Sequence, residues 1–324
     1  MNSALSQFAA FAICFCAATA CAQPADTYPT KPIRLIVPFP PGGSNDIIGR
    51  YLANHLSERF GKQVVIDNRG GAGGLIGTET AANAVADGHT LLMISVAYTM
   101  NAAIYKLPYD SAKSFARVAQ LGTGPAVLAM YPGLPVNSVK ELIALAKAKP
   151  NTVIYATAGI GSFQHFASEL FRTSAGLTMV HVPYKGGGPA MIDTIAGQAH
   201  ISIGSLIQFL PHFRSGKLKA LGTGGAKRTA VLPDVPAIAE HPPLKGFELV
   251  NFFGFFGPAG LPDPVLRRLN AAAVEALKSP DMVKKLQGAG FEPAPTTPGE
   301  FRQFIRTESA KFAKIIAEAG IKLE

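Results

Sequence analysis

Past residue 32, short apolar runs alternate with longer segments whose apolar positions recur at helical spacing. "IRLIVPF" reads as a strand, and Ile47, Ile48, Tyr51, Leu52, Leu56 and Phe60 then mark one helical face that Gly61 ends. "QVVID" is a strand, "NRGGAGG" a loop, "LIGTETAANAVADG" a helix and "TLLMIS" a strand again. This β-α-β-α-β order predicts a mostly parallel sheet with helices on its faces.

A second set follows. "AVLAMY" is a strand, and Ser138 starts a helix with Glu141 completing a capping box. "TVIYAT", "MVHVPY", "ISIGS" and "LKALGT" are strands, separated by helices over "SFQHFASELFRTSAG", "AMIDTIAG" and residues near 206–215. The chain then turns proline-rich in "LPDVPAIAEHPPLKGF". After "LVNFFGFFGPAG" only helices are predicted, opening at Pro264, Pro280 and Pro298 behind the caps Asp263, Ser279 and Thr297. Two α/β units with a helical tail imply two lobes. A tail that returns to the first lobe would cross twice, near the glycine-bearing "LGTGPA" and "LGTGGA". The expected division is 23–123 plus 225–324 for one lobe and 124–224 for the other.

Hydrophobic residues make up 48% of the 324 and charged residues only 16%, so there is ample material for a core. The net charge of +9 is spread along the chain without a basic stripe interleaved with aromatics, which argues against nucleic acid and leaves small anions open. All three cysteines, Cys14, Cys16 and Cys21, lie near the start, so no disulfide framework or thiol nucleophile can operate beyond it. The run from Phe8 to Ala20 is too short to span a bilayer and ends in small residues at A-x-A sites. It reads as an export signal over 1–22, which implies a periplasmic protein; a lipoprotein acylated at Cys21 is the lesser expectation.

The chemistry lies in the turns. "PFPPGGSNDIIGR" carries Phe39, Gly42, Gly43, Ser44 and Asp46 where a strand becomes a helix. It lacks the Lys of a Walker loop and the G-x-G-x-x-G of a dinucleotide fold. What remains is a bare backbone under a helix N-terminus, a seat for an anion, with Asp46 placed to hold the loop. "YATAGIGSFQH" repeats the arrangement with Thr157, Gly159, Gly161, Ser162 and His165, and "VPYKGGGPAM" repeats it with Tyr184 and Gly186. Three such seats could converge on one carboxylate, whose burial demands several donors. An ordinary capped turn is the bland alternative for each loop taken alone.

Catalysis has thinner support. Ser162 and His165 form the one tempting nucleophile–base pair, but the run G-I-G-S-F is not the G-x-S-x-G of a hydrolase. The histidines are dispersed without H-x-x-x-H spacing, so neither a metal nor a cofactor is expected.

The ordered motifs "YPTKPIRLIVPFPPGGSNDIIGR", "NRGGAGGLIGTETAANAVADGHTLL", "YATAGIGSFQH", "VPYKGGGPAMIDTIAG" and "LPDVPAIAE" resemble the Bug family, the extracytoplasmic solute receptors of tripartite tricarboxylate transporters. The resemblance covers essentially the whole chain after its first residues. It implies a two-lobed, Venus-flytrap periplasmic binding protein of type II-like α/β fold, with two mixed, mostly parallel sheets flanked by helices. It further implies a monomer that binds a small carboxylate between its lobes, without enzymatic activity, and meets the membrane permease subunits of a tripartite transporter. The grip it implies runs from Phe39 to Asp46 and from Thr157 to His165, with Ser95, Tyr184 to Gly188 and Ser205 completing the pocket. Two positions depart from the pattern: His200 and Gly204 stand where many relatives hold Asp. A periplasmic sensor feeding a signalling protein is the alternative role, and an exported serine esterase the remote one.

Overall fold

The computed structural model describes residues 27–319; the leader expected over 1–22, Cys21 included, lies outside them. The first unit is β1 (Ile33–Val37), α1 (Ser44–Phe60), β2 (Val64–Asn68), α2 (Leu75–Ala82), β3 (Thr90–Ser95) and α3 (Ala97–Ile104). β1 pairs in parallel with both β2 and β3. The sixteen-residue β4 (Phe115–Met130) follows, then α4 (Val139–Ala148), β5 (Ile154–Thr157), α5 (Phe163–Ser174), β6 (Val180–Pro183), α6 (Gly187–Ile195), β7 (Ile201–Ser205), α7 (Leu206–Arg214) and β8 (Lys219–Thr223). The chain closes with β9 (Val250–Pro258), α8 (Asp263–Lys278), α9 (Pro280–Gly288), β10 (Glu292–Pro293) and α10 (Pro298–Ala319).

The strands form a continuous path, β2-β1-β3-β9-β4-β7-β5-β6, with β8 and β10 also on β4. β4 joins the two halves. Residues 115–125 pair antiparallel with β9, and residues 126–130 pair antiparallel with β7. Only the second half of this strand is legible as "AVLAMY". Gly122, Gly124 and Pro125 interrupt the alternation of the first half, and the register shifts there between Gln120 and Gly122. The tail is not purely helical either, because β10 pairs with β4 at Thr123 and Gly122.

β9 enters between β3 and β4, antiparallel to both. Phe252, Phe253, Phe255 and Phe256 are all buried, which is why "VNFFGFF" is apolar on both faces rather than alternating. α10 presents Phe301, Ile305 and Phe312 to the core, and Phe312 meets Phe166 of α5 edge-on at 5.5 Å. The final helix therefore touches both halves of the sheet.

Where the halves meet, three segments are tied together. Gly224 N–H donates to Ala126 O at 2.8 Å, Leu249 N–H to Gly224 O at 2.7 Å, and Ala126 N–H to Leu249 O at 3.0 Å. The stretch between Gly224 and Leu249 stays beside the second half: Thr223 bridges Ala237, and Ile238 packs in a core that includes Val139.

The helix caps follow the sequence with small shifts. Ser279 holds the N-cap position of α9 without a side-chain cap bond, its hydroxyl donating instead to Ala276 O at 3.1 Å, and Thr297 exchanges bonds with Glu300, accepting from its N–H at 3.3 Å and donating to its carboxylate at 2.8 Å. Asp263, expected as a cap, is instead the first residue of α8, with Pro262 before it. Ser138 caps α4 by accepting the Glu141 N–H at 3.1 Å.

Candidate functional site

β1, β5 and β6 each lead through a short loop into a helix, β7 runs directly into one, and the N-termini of these helices, α1, α5, α6 and α7, converge on one cleft. Its lining includes Phe39, Gly43, Ser44, Asn45, Ser95, Ala158, Ser162, Phe163, Gln164, Gly187, Ser205 and Gln208. The first-turn N–H groups of a helix have no intrahelical partner, so each terminus offers donors and the positive end of a dipole. No charged side chain lines the cleft. Its polarity comes from hydroxyls, amides and backbone.

Glycines let the two sides approach backbone to backbone. A Cβ on Gly188 would lie 2.5 Å from Pro41 O, one on Gly186 2.5 Å from Pro40 Cδ, and one on Gly73 2.6 Å from Ile160 O. The paired prolines and glycines of "PFPPGG" thus meet the "KGGGP" loop across the cleft. The free space in the cleft is about 20 Å³, room for one water, so a dicarboxylate does not fit the cleft as it stands.

Gly42 takes the positive φ of +86°, while Gly43 sits at −84° as the N-cap of α1. The Gly42 N–H donates to Asp46 Oδ2 at 3.1 Å, and Asp46 also accepts from Arg50 Nε at 2.9 Å and Asn68 Nδ2 at 3.0 Å. Burial pushes the Asp46 carboxyl up, but these donors together hold it below the usual range. Asp46 is therefore a brace of the loop and lies outside the lining, and Gly42 spends its N–H on that brace.

Ser162 is the N-cap of α5. Its Oγ accepts the His165 N–H at 3.1 Å and its own N–H donates to Gly159 O at 3.1 Å, which leaves the hydroxyl proton for the cleft. The His165 ring turns the other way. Its Nδ1 accepts the Gly161 N–H at 3.4 Å, and the ring stacks on His181 at 4.7 Å. Burial, with the charge of His181, pushes its pKa down to about 4. Ser162 and His165 are thus linked through the backbone of His165 and not as a hydroxyl–imidazole pair, so the esterase geometry is absent. Gly159, at a φ of +105°, donates to Thr157 Oγ1 at 3.3 Å, and Thr157 Oγ1 lies 2.7 Å from His181 Nε2. Thr157, Gly159, Gly161 and His165 thereby form a layer under the cleft rather than its wall. Tyr184 and Gly186 also stand outside the wall, and Gly187 takes that place.

Ser95 Oγ accepts from Asn45 Nδ2 at 3.3 Å, and Ser205 Oγ from Asn251 Nδ2 at 2.7 Å. Gln208 Nε2 donates to Gly187 O at 2.7 Å, and Gln208 Oε1 accepts from Gln164 Nε2 at 3.4 Å. That chain orients Gln164 so that its Oε1 is buried without a partner, as is Asn45 Oδ1. Asn45 and Gln164 fall inside the expected grips without being singled out there, and Gln208 and Asn251 lie outside them. Gln208 and Asn251 each had a signal, an amide in an otherwise apolar run, "LIQFL" and "LVNFF". At Gly204 a Cβ would lie 2.7 Å from Gln164 Nε2, so the missing side chain makes space for Gln164. His200 lies at the opposite end of β7 from Ser205, with Nδ1 accepting the Ile154 N–H at 2.9 Å, and plays no part in the cleft.

Among the described residues no group of three or more His, Cys, Asp or Glu is placed to hold a metal, and no helix is long and apolar enough to cross a membrane.

A mixed sheet shared by two halves, with helix N-termini facing each other across a glycine-lined cleft, defines the periplasmic binding protein class. Residues 48–321 match the model of the tripartite tricarboxylate transporter family receptor, TctC, and the chain belongs to that family. BugT of Bordetella pertussis is 38% identical over 305 residues, 93% of each chain. A solved periplasmic transporter is 36% identical with a TM-score of 0.87, over 92% of this chain and 100% of the other. An R. palustris protein solved with adipate is 33% identical with a TM-score of 0.88, over 91% of this chain and 99% of its own. MatC from Rhodopseudomonas palustris, solved with bound malate, is 28% identical with a TM-score of 0.84, over 89% of this chain and 100% of its own. As a member of this family the chain is a solute-binding receptor and not an enzyme.

Proposed function

We propose that this receptor works in the periplasm as a monomer, captures a small carboxylate between two lobes divided within β4 and after β8, and delivers it to the membrane permease subunits of a tripartite transporter. The observation that carries the ligand class is the convergence of the α1, α5, α6 and α7 N-termini on a cleft without a charged side chain. Such a cleft favours an anion through backbone donors and dipoles. The Ser162 hydroxyl proton adds a side-chain donor, and charge-assisted bonds of this kind contribute roughly 1.5–3 kcal/mol each. Adipate and malate in the two R. palustris relatives fit the same chemistry.

The lining also bears on the rest of the ligand. With no Asp or Glu in the cleft, a buried ammonium would lack a charged partner, so we favour a carboxylate without an amine. The unpartnered oxygens of Asn45 and Gln164 would be satisfied by a hydroxyl on the ligand. Mass spectrometry of ligand released from denatured, periplasm-purified protein is the direct test. A thermal-shift panel should find hydroxy- and dicarboxylates raising the melting temperature more than aspartate or glutamate. Stabilisation by the amino acids alone would overturn the ligand class. Stabilisation by no carboxylate at all would overturn the site.

A further inference from the structure

We infer a second anion site, separate from the cleft, in a groove of about 470 Å³ between α3, the segment 111–117 and α10. Arg117, Arg302 and Arg306 line it, no Asp or Glu does, and it shares no lining residue with the cleft. Arg302 and Arg306 are exposed and stand one turn apart on α10. The acids further along that helix are engaged elsewhere: Glu308 pairs with Lys311 at 3.6 Å and Glu318 with Lys314 at 3.7 Å.

Arg117 sets this groove apart from an ordinary solvated basic face. It is only 9% exposed. Its Nη1 donates to the carbonyls of Ala112 and Phe115 at 2.8 and 2.7 Å, its Nη2 to that of Ser111 at 2.7 Å, and its Nε is buried without a partner. All of these acceptors are neutral. Asp110, the acid of the same turn, has Oδ1 occupied by the N–H groups of Ala112 and Lys113 and Oδ2 at 4.0 Å from Lys113. Buried guanidiniums ordinarily face a carboxylate, because carbonyl dipoles alone do not neutralise the charge. Among the described residues Arg117 makes no ion pair, and an anion in the groove would supply counter-charge. Ala102, Ala103 and Ala313 keep its walls low, and Ser309 also lines it.

The chemistry selected is that of an oxyanion carrying more than one charge. Guanidinium forks bind phosphate or carboxylate oxygens in pairs, and the two exposed forks of Arg302 and Arg306, backed by the charge of Arg117, match several such oxygens. A phosphate-type group meets that requirement, either free in solution or as the headgroup of an anionic lipid.

Inorganic pyrophosphate is the probe. Calorimetry on the exported chain at low ionic strength should give a single-site isotherm that Arg302→Glu with Arg306→Glu weakens by about tenfold or more and that Ser162→Ala leaves unchanged. Arg117→Lys, which keeps the charge and removes the fork, should weaken it by less. A control with Lys147→Glu and Lys284→Glu, both exposed and neither lining the groove, removes the same charge. An equal loss in that control, or none in the arginine pair, would reduce the effect to diffuse attraction and sink the site. Co-sedimentation with phosphatidylglycerol but not phosphatidylcholine vesicles, abolished by the arginine pair, would identify a headgroup as the source. Pyrophosphate binding without vesicle binding would identify a free anion. If neither probe binds, the proposal fails, whatever the fate of the carboxylate reading.

Discussion

Asn251 and Ser205 join the two halves of the molecule at the rim of the cleft: Asn251 Nδ2 donates to Ser205 Oγ at 2.7 Å while Asn251 Oδ1 accepts the Val96 N–H at 3.2 Å. One fully buried amide at the head of β9 thus spans from the end of β7 to the end of β3. Asn251→Leu would leave the Val96 N–H without this acceptor and remove a donor from Ser205. Each such loss costs about 1–3 kcal/mol. Chemical denaturation should therefore register a fall of about 2–5 kcal/mol, and a change within error would show that the contact contributes nothing net.

Ser162 has two duties that can be separated. Its oxygen caps α5, and its hydroxyl lines the cleft with a proton that no other bond among the described residues uses. Ser162→Ala should lower stability by about 1 kcal/mol through the lost cap and weaken ligand binding by about 1–3 kcal/mol. Ser162→Asp keeps a cap acceptor but sets a negative charge against the ligand, so stability should recover while binding is lost. Carboxylate affinity that is unchanged in both variants would remove Ser162 from the site.

Gly188→Ala tests closure. Gly188 lies within α6, where Ala is the better helix former, so the change should not harm its own half. The new Cβ would sit 2.5 Å from Pro41 O on the opposite side and hold the cleft apart. Small-angle scattering should find that ligand compacts the wild-type protein but not the variant, and calorimetry that affinity falls by at least about tenfold, roughly 1.4 kcal/mol. A variant that binds and compacts like the wild type would mean that the loops do not meet in the bound state.

Stability should fall on acidification through His165. Its folded pKa, near 4, lies below the ordinary 6.5 because of burial and His181. Between those values the unfolded chain takes up a proton that the folded chain refuses, so stability falls as pH drops from about 6.5 to about 4 and this contribution then levels off. The groups facing the ring reinforce the direction: His181 is also pushed down by burial, and the Glu169 carboxyl, raised by burial, is held low overall by Arg172 and Tyr155. The His165 contribution is about 3 kcal/mol at most. In His165→Gln the slope of melting temperature against pH over that window should be shallower; an identical slope would assign the acid lability elsewhere.

The order of elements was legible because both periods are local. Apolar positions at i, i+3 and i+4 and runs such as "IRLIV" and "TLLMIS" declare helix and strand without reference to anything distant. Ser138 and Thr297 marked helix starts for the same reason, since a cap bonds within its own turn. The glycine-rich turns were visible too, and with them the three loops that supply much of the cleft wall. The helix that starts at Leu206 behind Ser205 brings a fourth N-terminus, which the turn pattern did not nominate.

What no local pattern carries is which atoms face the cleft. Asp46, Thr157, Gly159 and His165 lie in the right loops, yet their donors and acceptors are spent within the loops, and neighbours one or two residues away, Asn45 and Gln164, hold the free oxygens. His200, just before β7, and Gly204, within it, lie four residues apart, yet His200 pairs with Ile154 away from the cleft while the bareness of Gly204 seats Gln164. The bridge from Asn251 to Ser205, and the meeting of Pro41 with Gly188, join residues 46 and 147 positions apart. Such pairings are decided when β4 and β9 cross between the halves, because hydrogen-bond partners and steric room are properties of the packed chain, whereas periodicity and capping belong to the chain itself.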